Sequence, residues 1–259
     1  MKALSIFTAA LAAASILSGC KNSRQVDLST DIVEDKGTVS AVDVSGAAMS
    51  WQYCVEYVTG GVPDNVKDAI NSVIISRCIA GQDEETQTDV PAACVQWARD
   101  LKDGYVHDTT ATEDMELDDN SFIYTWEFDL RCVFDAWNES RGWVSYCYAD
   151  SQYLGGAHGI TNMTYIVFDL KDGSIVTQDT FLKGNYQEDL LDLLTDAIYD
   201  YLGPEGEDQE LFATPSFNDN FYVNDDGVTW IFNPYEIASF AAGTIEATLS
   251  WQDLKPYLK

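Results

Sequence analysis

Strand patterns joined by hairpin turns alternate with amphipathic helix patterns along this chain, and that alternation constrains its fold most. Two strand pairs flank turn sequences typical of hairpins, Asp172-Gly173 and Asp225-Asp226-Gly227. Apolar residues at helical spacing predict four helices, at 63–80, 91–102, 186–202 and 234–242. Because hairpins make antiparallel pairs, we expect an α+β fold, with antiparallel sheets and packed helices in two consecutive α+β subdomains.

The N-terminus is similar to a bacterial lipoprotein signal. Met1-Lys2 precedes an almost continuously apolar stretch over 3–17, and Leu17-Ser18-Gly19-Cys20 follows as small residues ending in cysteine. The resemblance implies that residues 1–19 are a signal peptide and that Cys20 carries the lipid. An ordinary signal with an incidental cysteine is the alternative. We expect a protein of the bacterial cell envelope, periplasmic or surface-facing, that contacts the membrane through this anchor only.

Residues 20–50 are rich in Ser, Thr, Asp, Val and Gly and hold no large aromatic residue. This composition is typical of a flexible linker between the anchor and the folded part. Folded sequence begins at Trp51, where aromatic and β-branched residues mark a strand. We therefore expect one subdomain over residues 51–150 and a second over residues 151–259.

The charge and the composition exclude several classes of protein. The chain holds 14 Lys+Arg against 43 Asp+Glu, for a formal net charge of −29. A nucleic-acid partner is excluded because a phosphate-binding surface must be cationic and no basic cluster occurs. Disorder is excluded because 46% of the residues are hydrophobic, among them 7 Trp, 14 Tyr and 11 Phe.

Motifs of known catalytic chemistry are missing from the sequence. It holds no Gly-x-Ser-x-Gly elbow, no zinc-binding His-Glu-x-x-His pair, no phosphate loop and no dinucleotide fingerprint. Its two histidines, His107 and His158, are too few for a His-rich metal site. We therefore predict no cofactor and no metal.

The order of motifs in the second half resembles the RsiV-like C-terminal domain family. Three stretches carry the resemblance: 153–158, with sequence Tyr-Leu-Gly-Gly-Ala-His; 168–173, with Phe-Asp-Leu-Lys-Asp-Gly; and 230–243, which includes Asn-Pro-Tyr-Glu-Ile-Ala. That family is named after an anti-sigma factor that senses lysozyme. The preceding part, about 51–150, is similar to the companion domain found in RsiV and in PdaC-type peptidoglycan deacetylases. The chain lacks the sigma-binding segment and the deacetylase domain, so the resemblance implies fold more strongly than function.

The Gly-Gly-Ala-His turn is a candidate binding site. Gly155 and Gly156 allow close approach of backbone to a ligand, Tyr153 can wall a cleft, and His158 can face it. The alternative is a structural histidine that fixes a sharp turn. For an enzyme, Asp150 and Asp169 are the carboxylates that could act with His158 as general acid or base.

Tyr235 and Glu236 also have two interpretations. In a short helix that begins at Pro234, Tyr235 can bury its ring and Glu236 can face the helix N-terminus. Alternatively, both contact a ligand.

The five cysteines after Cys20 suggest disulfides in an oxidising compartment. A four-residue turn over 138–141 would place Cys132 opposite Cys147. Cys78 and Cys94 fall on the apolar faces of two predicted helices and form a second candidate pair. Cys54 is then left as a free thiol.

Together these features predict an envelope lipoprotein that binds rather than catalyses. The resemblance implies a basic partner such as lysozyme, and peptidoglycan fragments are the second ligand class. A peptidoglycan hydrolase or deacetylase that uses His158, and a structural subunit of an envelope assembly, are the alternatives.

Overall fold

The structure is a computed structural model that describes residues 28–79, 87–111, 117, 120–203 and 211–259. The expected signal at 1–19 and the lipid-bearing Cys20 lie outside these residues. Eight strands are described: β1 Ser29–Ser40, β2 Ala48–Gly60, β3 Trp126–Asn138, β4 Trp143–Leu154, β5 Ile160–Asp169, β6 Phe221–Val223, β7 Gly227–Phe232 and β8 Ile245–Ser250.

Helices cover the sheets. They are α1 Asp64–Ile74, continued by a π-helical turn at Ile75–Ile79, α2 Val90–Asp108, α3 Gln178–Phe181, α4 Tyr186–Asp189, α5 Leu191–Leu202 and α6 Trp251–Leu254. Short 3₁₀ turns lie at Phe240–Ala242 and Lys255–Tyr257. Within the part of the chain that the structure describes, no helix has both the length and the apolar character needed to cross a membrane.

The strands form a five-stranded sheet in the order β1-β2-β3-β4-β5 and a three-stranded sheet in the order β6-β7-β8. All neighbours pair antiparallel except β2 and β3, which are parallel. The chain between these two strands contains α1 and α2, which make the crossover that a parallel pair requires. The predicted α+β class, with antiparallel-rich sheets and packed helices, is confirmed.

Even-numbered and odd-numbered residues of β4, β5 and the part of β3 before residue 135 face opposite cores, as the alternation of a strand requires. Leu130, Tyr146 and Phe168 belong to the core under α1 and α2. Val167 packs in the core of the second sheet, and Cys147 lies in a small cluster between the sheets. The large sheet is thus buried on both faces at its centre.

Within the range 20–50, for which a flexible linker was predicted, the structure places strand β1 at Ser29–Ser40. β1 pairs with β2 along its whole length, from Ser29 opposite Gly60 to Ser40 opposite Ala48. The composition of β1 is polar because this edge strand buries little of its surface, and its burial pattern shows no residue fully buried. Backbone pairing, which composition does not report, orders the segment.

The expected boundary at residue 150 falls inside β4. That strand pairs with β3 on one side and with β5 on the other, so the first sheet continues to Asp169. The second core then collects the helices and strands from α3 onward, with Trp143 and Val167 of the first sheet. The two units share β4 and β5 instead of following each other along the chain.

Neither expected disulfide is present among the described residues, where all five cysteines are free. Cys132 pairs with Tyr148, and Cys147 pairs with Val133. A bulge between Phe134 and Ala136 shifts the register, and a one-residue shift moves a side chain to the other face. Cys132 therefore lies under the helices with Cys78 and Cys94, which stay free thiols, while Cys147 faces the second sheet.

Candidate functional site

The loop between β4 and β5 presents His158 at one end of the large sheet. Gln152 pairs with Ile160 at the base of this loop. His158 is exposed, and its Nδ1 lies 3.0 Å from the carbonyl oxygen of Gly159. Its ring stacks on Phe240, with ring centres 4.1 Å apart and an angle of 21° between the planes. The histidine thus joins the β4–β5 loop to the segment after β7.

Tyr153 and Phe122 form an aromatic pair on the same end of the sheet. Their rings meet edge to face at 6.0 Å, and the Tyr153 hydroxyl donates to the carbonyl oxygen of Gly156 at 3.1 Å. Phe122 is 51% exposed although it makes this contact. Residues 121–124 form a turn that precedes β3.

The two glycines of the loop have different roles. Gly155 has φ +79°, and a Cβ there would lie 2.8 Å from the carbonyl oxygen of Ile123. The absence of a side chain at Gly155 therefore lets the loop pack closely against the backbone of residues 122–123, and it does not make room for a ligand. Gly156 has φ +97° and open space around the position of a Cβ, so only its backbone conformation requires glycine.

Tyr235 adopts a backbone conformation that tyrosine disfavours. Its φ is +69°, and it is the one residue other than glycine with positive φ in the described part of the chain. The left-handed region costs a non-glycine residue about 1–2 kcal/mol. The predicted helix over 234–242 is therefore wrong, because a turn at Pro234–Glu236 replaces its first turn and only Phe240–Ala242 is helical, as a 3₁₀ turn.

The side chain of Tyr235 is exposed, whereas the predicted helix would have buried it in its first turn. It is 53% exposed. Its ring centre lies 5.6 Å from that of Phe240, which in turn stacks on His158. We name the five rings of Phe122, Tyr153, His158, Tyr235 and Phe240 the aromatic surface. Phe122 and Phe240 were not predicted as site residues, and no motif distinguishes them from ordinary core aromatics.

Glu236 and Asn233 stabilise the turn that carries Tyr235. The Glu236 carboxylate accepts from the Asn233 backbone N–H at 2.9 Å and from the Asn218 amide at 2.8 Å. The Asn233 side chain accepts from the N–H of Met163 at 2.7 Å and donates to its carbonyl oxygen at 3.0 Å. Both Glu236 oxygens are therefore engaged within the protein, and the turn is fixed to the edge of β5.

The structure does not assemble the expected catalytic group. Asp169 pairs with Trp143 at the far end of β5, nine residues from Ile160, or about 30 Å at 3.3 Å per residue. Its carboxylate accepts from the Trp143 indole and the Lys171 N–H. Asp150 lies within β4 and accepts from the Gln152 amide at 2.6 Å; burial raises the pKa of Asp150 above its usual value. His158 is thus not joined to either carboxylate.

The described residues also contain no group of three or more His, Cys, Asp or Glu side chains arranged to hold a metal ion. The aromatic surface offers exposed rings, one imidazole and turn backbone. Such a surface can bury apolar area and stack on a partner, since aromatic rings dominate the energetics of recognition surfaces.

The fold and this surface define an α+β protein with an exposed aromatic surface at one end of its larger sheet. The profile of the DUF3298 family, described as a protein of unknown function, matches residues 178–252, which form a DUF3298 domain. That range covers the second core from α3 to α6, including the Tyr235 turn. None of the curated proteins matches the chain.

Solved structures share the fold over 90% of this chain, among them two DUF3298 family proteins. A member of the DUF3298 family from Bacteroides fragilis (BF2082) is 22% identical with a TM-score of 0.76, over 90% of this chain and 94% of that one. A DUF3298 family protein from Pseudomonas aeruginosa (PA4972) is 16% identical with a TM-score of 0.65, over 90% of this chain and 96% of that one. At these identities the likeness establishes the fold alone.

Proposed function

We propose that the protein is a cell-envelope binding protein, held by a lipid on Cys20, that captures a basic protein through the aromatic surface. The resemblance to RsiV suggests a lysozyme-like muramidase as the partner. A cell-wall fragment is the second ligand class. Enzymatic use of His158 is less favoured because its expected carboxylate partners lie elsewhere.

The exposed, strained Tyr235 supports this proposal most. Residues in sparsely populated backbone conformations cluster at functional sites, where the strain serves recognition. Glu236, Asn218 and Asn233 hold the turn by hydrogen bonds, yet they leave the Tyr235 ring in solvent. A glycine at position 235 would adopt this positive φ with less strain. The tyrosine ring is therefore present at a cost in stability.

The charge of the chain supports a basic partner. With a net charge of −29, its field attracts cations over a distance set by the salt concentration. Steering of this kind raises association rates, whereas a complementary surface sets the dissociation rate. Charge and aromatic surface therefore contribute to different steps of one association.

The test compares lysozyme with cytochrome c, a second small basic protein, as ligands of the full chain purified in detergent. Biolayer interferometry at 0.01 M and 0.15 M salt separates charge attraction from binding by the aromatic surface. Charge attraction weakens between these concentrations because the Debye length falls from about 30 Å to about 8 Å. We expect association rates to fall for both ligands, and lysozyme alone to dissociate slowly. Tyr235→Gly should weaken lysozyme binding about tenfold or more, since Tyr is a common hot-spot residue.

Tyr201→Ala is the matched control, because Tyr201 is 49% exposed on α5. Equal affinity for lysozyme and cytochrome c would contradict specific recognition and would show that charge attraction alone accounts for binding. Equal loss in the Tyr235 and Tyr201 variants would remove the aromatic surface from the proposal.

The anchor is tested independently. Cys20→Ser should release the protein from the membrane fraction, because no other anchor is expected from the sequence. If the substituted protein sediments with membranes as before, the lipoprotein assignment is wrong.

A further inference from the structure

A groove of about 420 Å³ lies between α2 and the beginning of β3. The α2 side consists of two stripes of residues at four-residue spacing, one with Trp97, Leu101 and Tyr105 and the other with Gln96, Asp100, Gly104 and Asp108. Trp126 and Phe128 form the sheet side. The volume is within the usual range of small-ligand sites.

The aromatic walls of the groove are held rigidly. Trp97 packs edge to face on Tyr53 with ring centres 6.0 Å apart, and Trp126 packs on Tyr105 at 5.2 Å. The Tyr105 hydroxyl donates to the carbonyl oxygen of Tyr124 at 2.7 Å, and the Trp126 indole donates to that of Ile123 at 2.9 Å. These two donors therefore point into the protein, and the rings present their apolar surfaces.

Gly104 keeps the groove open at one end. It lies within the 19-residue helix α2, where glycine is unfavourable, and a Cβ there would meet nothing within 4 Å. Neither a turn nor close packing requires a glycine at this position. Its effect is to leave space beside the Tyr105 ring and the Asp100 and Asp108 carboxylates.

The charged residues that line the groove, Asp100 and Asp108, are both acidic. None of the described residues that line it is basic, and Asp100 and Asp108 lie in the last nine residues of α2. Asp108 is the last residue of α2, where the free carbonyl groups of the helix C-terminus add partial negative charge. The Gln96 amide is engaged, since it donates to Asp100 at 2.7 Å and accepts from Arg99 at 3.0 Å. The Asp108 carboxylate also has a neighbour, because the His107 Nδ1 lies 3.0 Å from its Oδ1. Asp100 and Asp108 remain the charged acceptors among the described residues that line the groove.

We propose that this groove binds an organic cation on an apolar stem, namely a Lys or Arg side chain of a partner protein. The stem would lie against Trp97, Trp126 and Phe128, and the cation would reach Asp100 and Asp108. Aromatic faces attract cations, and a donor-only head group matches acceptor-only carboxylates. A neutral sugar would need donors as well as acceptors, and an anion would be repelled.

The test uses the small probe Nα-acetyl-lysine N-methylamide, with the uncharged norleucine analogue as its control. Binding to the full chain in detergent is followed by NMR through the indole N–H signals of Trp97 and Trp126, identified with Trp→Phe variants. We expect saturable shifts with the lysine probe alone. Gly104→Phe should weaken binding about tenfold by filling the groove, whereas Gly104→Ala should leave it within about twofold.

Charge variants provide a second measurement. Asp100→Asn and Asp108→Asn should each weaken binding of the lysine probe several-fold. Asp103→Asn makes the same charge change on α2 outside the groove and should leave binding unchanged. Equal binding of lysine and norleucine probes, equal effects of the three Asn variants, or binding of chitotriose in place of lysine would overturn the proposal. The small probe makes this result independent of the proposed recognition of a basic protein by the aromatic surface.

Discussion

Single asparagine side chains replace backbone partners at several points where strands would otherwise leave polar groups unpaired. Asn71 on α1 accepts from the N–H of Val58 at 3.0 Å and donates to its carbonyl oxygen at 2.9 Å. Asn233 makes the same pair of bonds to Met163, and Asn220 accepts from the N–H of Tyr165 at 2.8 Å. An asparagine amide suits this role because it offers a donor and an acceptor in one plane.

Asn71→Ala should therefore destabilise the protein. Asn71 is buried, so its loss leaves the Val58 N–H and carbonyl without partners, at a cost of about 1–3 kcal/mol in the free energy of unfolding. Urea denaturation followed by tryptophan fluorescence measures the change. Asn185→Ala removes an exposed bond to Glu188 and is the control. A loss below about 0.5 kcal/mol for Asn71→Ala would mean that water replaces the amide.

Sequence reasoning reached some of these residues for the wrong structural reason. The pattern of the Asn-Pro-Tyr-Glu stretch predicts a short helix, yet Asn233 and Glu236 stabilise a turn and Tyr235 has positive φ. A helix was expected because Pro at the first turn and apolar residues after it suit one. The partners that stabilise the turn, Met163 and Asn218, are far along the chain, so no local pattern contains them.

At the scale of single elements, the faces of the strands decide the chemistry of the cysteines. Cys132 and Cys147 lie on opposite faces of the sheet, in different cores. Burial raises the pKa of Cys147 to about 12, and that of Cys94 also to about 12. Cys54, on β2, is only half-buried.

The buried thiols of Cys94 and Cys147 should consequently be unreactive in the native protein. A thiol with a pKa near 12 is about one part in ten thousand thiolate at pH 8, and the thiolate is the nucleophile. We expect iodoacetamide to modify Cys54 first and Cys94 and Cys147 only when urea unfolds the chain, as mass mapping would show. Rapid native alkylation of Cys147 would contradict the burial that the structure gives it.

Helix α2 contains a glycine, Gly104, at a position where alanine would be more stable. Gly104→Ala should raise the free energy of unfolding by about 0.5–1 kcal/mol, because alanine is the better helix former and its Cβ meets open space. Thermal and urea unfolding measure the gain. Gly37→Ala is the opposite control, since a Cβ there would overlap the ring of Trp51. A loss of stability in Gly104→Ala would show that α2 is not a regular helix at this point.

At the scale of the whole molecule, excess negative charge opposes folding. Within the described ranges, Lys67 forms ion pairs with Asp64 and Asp68, and the only other contact between opposite charges would be His107 with Asp108, if the histidine is protonated. These pairs are exposed, and exposed pairs contribute little. Most carboxylates therefore repel one another in the compact state without a compensating cation.

Salt should therefore stabilise the fold while it weakens association with a basic partner. We expect the melting temperature to rise by several degrees as NaCl increases from 0.01 M to 0.3 M and then to level off, because the Debye length becomes short relative to charge spacing. Differential scanning calorimetry measures this, with equal osmolality of sucrose as the control. A melting temperature that falls or stays constant with salt would show that self-repulsion is unimportant here.

The sequence by itself determined the α+β class, the hairpins at Gly173 and Gly227, and three of the four predicted helices, because turn chemistry and apolar periodicity are local properties. Only the tertiary structure decided that β1 joins the sheet, that β2 pairs parallel with β3, and that a bulge separates Cys132 from Cys147. Each of these depends on backbone pairing between distant segments, whose register composition does not encode. The aromatic surface and the α2 groove likewise exist only where separate segments meet.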